Sequence, residues 1–122
     1  MTAPDRNGEF HALRELSAAL GADPARTQAA GLKVYGCTLL PFENETFLPG
    51  AWTPEREKHR LAVNDWIREA RAFDAVIDFE KTLRDPAHPS SMKEEYDCGD
   101  HLHPGDLGYK TLGDSIDLAL FD

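Results

Sequence analysis

Helix, helix, strand, helix, strand, loop, helix is the element order the sequence predicts, and alternation of this kind argues an α/β fold of two parallel strands joined by a right-handed crossover, with flanking helices. Three observations carry that reading. Leu32 to Leu40 is rich in strand formers and nearly continuous in apolar character, as a strand covered on both faces requires. Phe73 to Phe79 repeats the pattern. Between them, Thr53-Pro54-Glu55 opens a helix that places Ala62, Val63, Trp66, Ile67 and Ala70 on one face.

Taken in order, Met1 to Glu9 mixes Pro, Gly, Asn and charges without periodicity and reads as a lead-in. Phe10, Leu13, Leu16 and Leu20 recur at helical spacing, giving an amphipathic helix ended by Gly21. Asp23 ahead of Pro24 is a cap followed by a first-turn proline, so a short helix should run from Pro24 to Ala30 and stop at Gly31. The first strand comes next, with Cys37 expected inside it as a buried thiol. Phe42 to Trp52 is irregular and lies beyond the strand's C-terminal end, where open α/β sheets bind ligands.

In the next helix Trp66 reads as a core anchor, while Arg56, Lys58, Arg60, Arg68 and Glu69 fall mostly off the apolar face and Asn64-Asp65 reads as a surface or lateral polar pair. Glu80 to Ser91, with Pro86 and Pro89, should be a short helix or turn and then loop. Tyr109, Leu112, Ile116, Ala119 and Leu120 predict a last helix reaching the C-terminus.

The chain has 122 residues, room for one domain and one modest core. Hydrophobic residues make up 41%, and the mean hydropathy of -0.50 is on the polar side of ordinary globular proteins. A formal charge of -9 repels phosphate backbones and anionic lipid, which argues against nucleic-acid and membrane-surface partners. No apolar run approaches a bilayer span and the first residues lack a signal-peptide core, so a cytoplasmic protein is expected. Cys37 and Cys98 have no Cys-x-x-Cys spacing and read as reduced thiols.

Groups capable of chemistry concentrate between Tyr96 and Tyr109, where two histidines, three aspartates and a cysteine sit among glycines and a proline. A carboxylate three residues before an imidazole can fold back in a tight turn to accept the Nδ1 hydrogen, which leaves Nε2 as a base; Asp100 and His103 have that spacing. The same residues admit a plain reading, with Asp100 capping the following helix and His103 solvated. They also admit a metal reading through His101 and His103 with Asp97 or Asp100, although Pro104-Gly105 favours a turn over the strand that His-x-His alternation suits. Cys98 is a poor nucleophile because its acidic neighbours oppose the thiolate.

Four segments in order, Gly31 to Phe42, Arg60 to Arg68, Phe73 to Phe79 and Asp100 to Tyr109, resemble the C-terminal part of an SGNH (GDSL-type) hydrolase. The likeness divides the chain into residues 1–30, a helical lead-in without a match, and residues 31–122. It implies part of a three-layer α/β/α sandwich of flavodoxin-like type, and ester or acyl hydrolysis by a Ser-His-Asp arrangement without a cofactor. Asp100 and His103 fall on the family's last motif as the orienting acid and the base. His101 stands where that motif usually has glycine, and Gly105 where it often has asparagine.

The family's nucleophile lies in a Gly-Asp-Ser turn after its first strand, and its oxyanion hole uses a later glycine and a Gly-x-Asn-Asp turn. Neither has a counterpart ahead of Gly31. Gly113-Asp114-Ser115 spells the first but lies in the predicted last helix; Asn64-Asp65 lacks its glycine and strand; Ser17, Ser90 and Ser91 have no motif around them. The resemblance therefore implies a small ester substrate for a completed enzyme, and a bare edge along Leu32 to Leu39 that pairs with a second copy or with a complementing N-terminal half. The competing expectations are a non-catalytic interaction or remnant domain and a small histidine-based metal-binding protein.

Overall fold

A computed structural model describes residues 23–122 together with His11, Arg14 and Glu15. The expected lead-in and the Phe10 to Leu20 helix lie outside the described residues, except that His11, Arg14 and Glu15 are helical.

Helix α1 is Pro24–Ala29, with the Asp23 carboxylate accepting from the Ala25 amide; Gly31, at φ +86, supplies the left-handed residue that turns the chain into strand β1, Tyr35–Cys37. Helix α2 is Pro54–Glu69, begun as its sequence dictates by Thr53, whose hydroxyl accepts from the Arg56 amide at 3.1 Å. Strand β2, Ala75–Ile77, pairs parallel with β1 in the register Tyr35↔Ala75, Gly36↔Val76 and Cys37↔Ile77. The expected crossover unit and two-stranded parallel sheet are present.

Both strands are shorter than their apolar runs because side chains take the backbone groups that would lengthen the ladder. The Val34 amide donates to the Asp74 carboxylate at 2.7 Å, and the Leu39 amide donates to Asn64 Oδ1 at 2.7 Å. Among the described residues β1 pairs with β2 alone, and Leu32 and Leu39 are exposed.

Four local expectations need correction. Cys37 is exposed, because strand alternation turns Gly36 and Thr38 inward; Gly36 lies so close to the Phe73 ring that a Cβ would meet it at 2.6 Å. Arg60 and Asn64, 3% and 0% exposed, are buried rather than lateral, since positions 60, 64 and 67 share one helix face. After helix α3, Phe79–Leu83, the expected loop is an antiparallel hairpin of β3, Arg84–Asp85, and β4, His88–Met92, whose Pro89 is tolerated in so small a two-stranded sheet. Helix α4, Asp106–Ser115, ends before the C-terminus: Ile116 is extended, and Asp117 caps a separate 3-10 turn, Leu118–Phe121, by accepting from Ala119.

Among the described residues the buried apolar side chains include Trp66, Ile67, Leu83 and Met92, with Trp66 set edge-on to Phe73 at 5.5 Å. Among the described residues no helix is long and apolar enough to cross a membrane.

Candidate active site

The turn after the short 3-10 segment Glu94–Tyr96 is closed by its own backbone. Asp97 and Pro104 form an antiparallel bridge, the Cys98 amide donates to the His103 carbonyl at 3.0 Å, and the Gly105 amide donates to that of Tyr96 at 2.8 Å. Within the loop Asp100 Oδ1 accepts from the Leu102 amide at 2.9 Å and the His103 amide at 2.8 Å, which fixes the carboxylate. Its Oδ2 lies 2.6 Å from His103 Nδ1. The His103 contact first, and then the two amides, hold the Asp100 carboxyl well below the usual carboxylate range. An ionised carboxylate only accepts, so Nδ1 carries the hydrogen and the Nε2 lone pair is left for other work. The imidazole side chain is 47% exposed.

A second pair sits beside it. His101 Nδ1 lies 2.7 Å from Asp97 Oδ2, and Asp97 Oδ1 accepts from the Gly99 and His101 amides at 2.7 and 3.0 Å. His101 takes φ +60, a conformation glycine adopts freely, and the Asp97 contacts hold it there. The histidines are thus each tied to their own carboxylate. Among the described residues, the groups that converge within 4.8 Å are Asp97, Cys98 and Asp100, without either imidazole, and both carboxylates are already engaged by amide and ring donors. The metal reading through His101 and His103 is not the arrangement present. Cys98 is exposed, and its thiol adds to the contacts on Asp100.

Neighbouring elements set where this turn stands. Gly108 of α4 packs on the Tyr96 carbonyl with no room for a Cβ, and the Thr46 amide donates to the Asp100 carbonyl at 2.9 Å. Phe47 lies edge-on to the His103 ring at 5.2 Å and 84°. The 42–52 segment is therefore folded: buried Glu45 accepts from the Leu48 and Ala51 amides at 2.7 and 3.2 Å, and the Trp52 indole donates to Glu57.

The sequence reading missed the polar cluster beneath. Asn64 donates to the Leu39 carbonyl at 2.9 Å and to Glu80 Oε2 at 2.7 Å, so one side chain ties α2 to the end of β1 and the start of α3. Glu80, 1% exposed, is met by Arg60 at 3.2 Å, Arg68 at 3.3 Å and Arg84 at 2.7 Å. Burial pushes its carboxyl up, but Arg84, Asn64, Arg60 and Arg68 together bring it below its ordinary value. Arg60 also donates to the Leu39 and Pro89 carbonyls, joining the hairpin to the sheet. The available signal was the Arg60, Asn64, Ile67 spacing, which set two polar residues on a face that also had to be buried. Gly113-Asp114-Ser115 ends α4, where Ser115 Oγ donates to the Leu112 carbonyl and Asp114 pairs with Lys110 at 2.6 Å.

The sequence pattern of GDSL-like lipases and acylhydrolases matches residues 3–116. That range takes in the Asp100 and His103 turn and reaches well ahead of Gly31. No curated protein matches the chain.

Proposed function

The chain belongs to the GDSL-like lipase/acylhydrolase family, and from that premise we propose that it supplies the acid-base half of an ester-hydrolysing site, with His103 as general base and Asp100 as its orienting acid. The observation that carries the reading is the 2.6 Å contact between Asp100 Oδ2 and His103 Nδ1, held by two backbone amides on Oδ1. In the reaction, His103 Nε2 takes the proton of a serine hydroxyl as its oxygen attacks the ester carbonyl, and the Asp100 carboxylate stabilises the imidazolium. The imidazolium then gives the proton to the leaving alcohol. A water activated in the same way releases the acid and restores serine.

The nucleophile and the oxyanion donors of this scheme come from outside these 122 residues. Residues 31–122 stand for the C-terminal part of the domain, and the family match from residue 3 supports counting residues 3–30 with it. The exposed flank of β1 along Leu32 to Leu39 is where the remaining sheet, or a second copy, would pair. The substrate is a small-molecule ester, and the scheme calls for no cofactor. Because one oxyanion donor alone is worth on the order of 3 kcal/mol in the transition state, the dyad by itself gives little turnover.

The test is hydrolysis of p-nitrophenyl acetate by the chain alone and mixed with a polypeptide carrying the family's Gly-Asp-Ser and Gly-x-Asn-Asp segments. Turnover should appear in the mixture and fall at least about a hundredfold with His103→Ala. Turnover indifferent to His103→Ala, or a mixture that binds without hydrolysing, removes the catalytic role and leaves a non-catalytic interaction domain.

A further inference from the structure

The 42–52 segment is anchored near both ends. The Glu43 amide donates to the Ser90 carbonyl of β4 at 3.0 Å, and the Arg56 guanidinium of α2 donates to the Gly50 and Ala51 carbonyls at 3.3 and 2.6 Å. Between these anchors Thr46 to Gly50 are exposed, so ordering them buries little apolar surface and adds little to the core. Two of them nevertheless reach the turn that carries His103. The Thr46 amide and hydroxyl meet the Asp100 carbonyl at 2.9 and 3.5 Å, and the Phe47 ring stands 5.2 Å from the imidazole.

One charged group lies inside this loop. Glu45 is 7% exposed, with Oε2 accepting from the Leu48 amide at 2.7 Å and Oε1 from the Ala51 amide at 3.2 Å. Among the described residues no cation pairs with it, in contrast to Glu80 and its three arginines. Burying a carboxylate is costly unless its oxygens are satisfied. Here two amides do so, and the side chain of residue 45 thereby reaches across residues 46 and 47. A glutamine has one acceptor oxygen and could hold only one of the two.

We infer that Glu45 is a positioning residue for His103: by holding the Leu48 and Ala51 amides it closes the loop over residues 46 and 47, which keeps Thr46 on the Asp100 carbonyl and Phe47 against the imidazole. Its effect on the ring rests on this geometry alone, and its effect on turnover rests on the general-base role proposed for His103. A base acts only within hydrogen-bond reach of the proton it takes, so a misplaced imidazole lowers kcat and leaves KM largely alone.

The first readout is the His103 ring-proton resonances of the isolated chain, which sense the ring current of Phe47. Glu45→Ala should move them most of the way to their positions in Phe47→Ala, and Glu45→Gln should fall between. The double variant Glu45→Ala/Phe47→Ala should match Phe47→Ala alone. Urea unfolding reports whether each variant is folded, and Glu45→Gln carries the same comparison should Glu45→Ala fail to fold. Resonances left in place in a folded Glu45 variant, or an effect undiminished once Phe47 is gone, would overturn the inference. In the mixture with the complementing polypeptide, Glu45→Ala should lower kcat about tenfold or more with KM within about twofold. A change confined to KM would place Glu45 in substrate binding and overturn the inference as well. Turnover indifferent to His103→Ala would remove the base instead, and the resonances would still decide whether Glu45 places the ring.

Discussion

Asn64→Ala tests whether one buried amide clamps the helix to the sheet. The substitution leaves the Leu39 amide without its acceptor, since Asn64 Oδ1 at 2.7 Å is the partner it has. It also removes a donor from Glu80 Oε2, while the Leu39 carbonyl keeps Arg60 at 3.1 Å. An orphaned part-buried amide costs about 1–3 kcal/mol and a lost hydrogen bond to a buried charge about 1.5–3 kcal/mol, giving a loss of about 2.5–6 kcal/mol. Against a total of about 5–15 kcal/mol that is a large share. With a urea slope near 2 kcal/mol per molar the midpoint should fall by about 2 M. Lys58→Ala, on the exposed face of the same helix, should stay within about 0.5 kcal/mol. Asn64→Asp keeps an acceptor for Leu39 but sets a second carboxylate against Glu80, so its deficit should shrink as pH falls. A midpoint loss under about 0.5 M for Asn64→Ala would mean that the clamp contributes little, and the account of why β1 ends at Cys37 would fail with it.

Asp78 carries an acid-sensitive part of the stability. Burial pushes its carboxyl up, but Arg68, Thr38 and the Lys81 amide outweigh that and bring it down to about 2. A folded pKa below the unfolded one gives stability present above about pH 4 and lost as pH falls through about 2, worth about 1 kcal/mol after solvent screening. Urea midpoints measured across that window should flatten in Asp78→Asn, and an unchanged slope would refute the assignment. Gly108→Ala would drive a Cβ into the Tyr96 carbonyl and to 2.8 Å from Pro104 Cβ, so a loss of about 2–3 kcal/mol is expected in the same assay. Phe47→Ala, at a residue 70% exposed, should change stability by less than about 1 kcal/mol yet move the His103 ring-proton resonances, and unmoved resonances would deny the edge contact.

The parts of the fold legible in the sequence were those set by local chemistry. Thr53-Pro54 started α2, Gly31 ended α1, and the apolar runs around Val34 and Val76 found the two strands. The Asp100 and His103 contact was legible for the same reason, since three residues and two backbone amides make it. Properties set by tertiary packing were not. Nothing local says that Arg60 and Asn64 point inward, because a helix face is polar or apolar only relative to what covers it, and Glu80 lies well beyond the helix in sequence. Cys37 looked buried because its neighbours were apolar, yet strand alternation decided its side. The β3–β4 hairpin hid behind Pro86 and Pro89, which read as loop in any central strand.

The dyad belongs to both scales. Its internal geometry depends on residues 97 to 105 and would survive wherever that loop closes. Its position depends on contacts from far along the chain: Thr46 on the Asp100 carbonyl, Phe47 on the ring, and Gly108 against Tyr96. Those contacts fix where the imidazole stands relative to the rest of the chain. Under the general-base role proposed for His103, orientation without placement leaves nothing to deprotonate, so loss of placement should lower turnover of the complemented mixture while leaving the Asp100 contact intact. Phe47→Ala in the complemented mixture separates the two: a fall in kcat with the His103 Nδ1 hydrogen resonance retained supports placement, and unaltered kcat confines Phe47 to the surface.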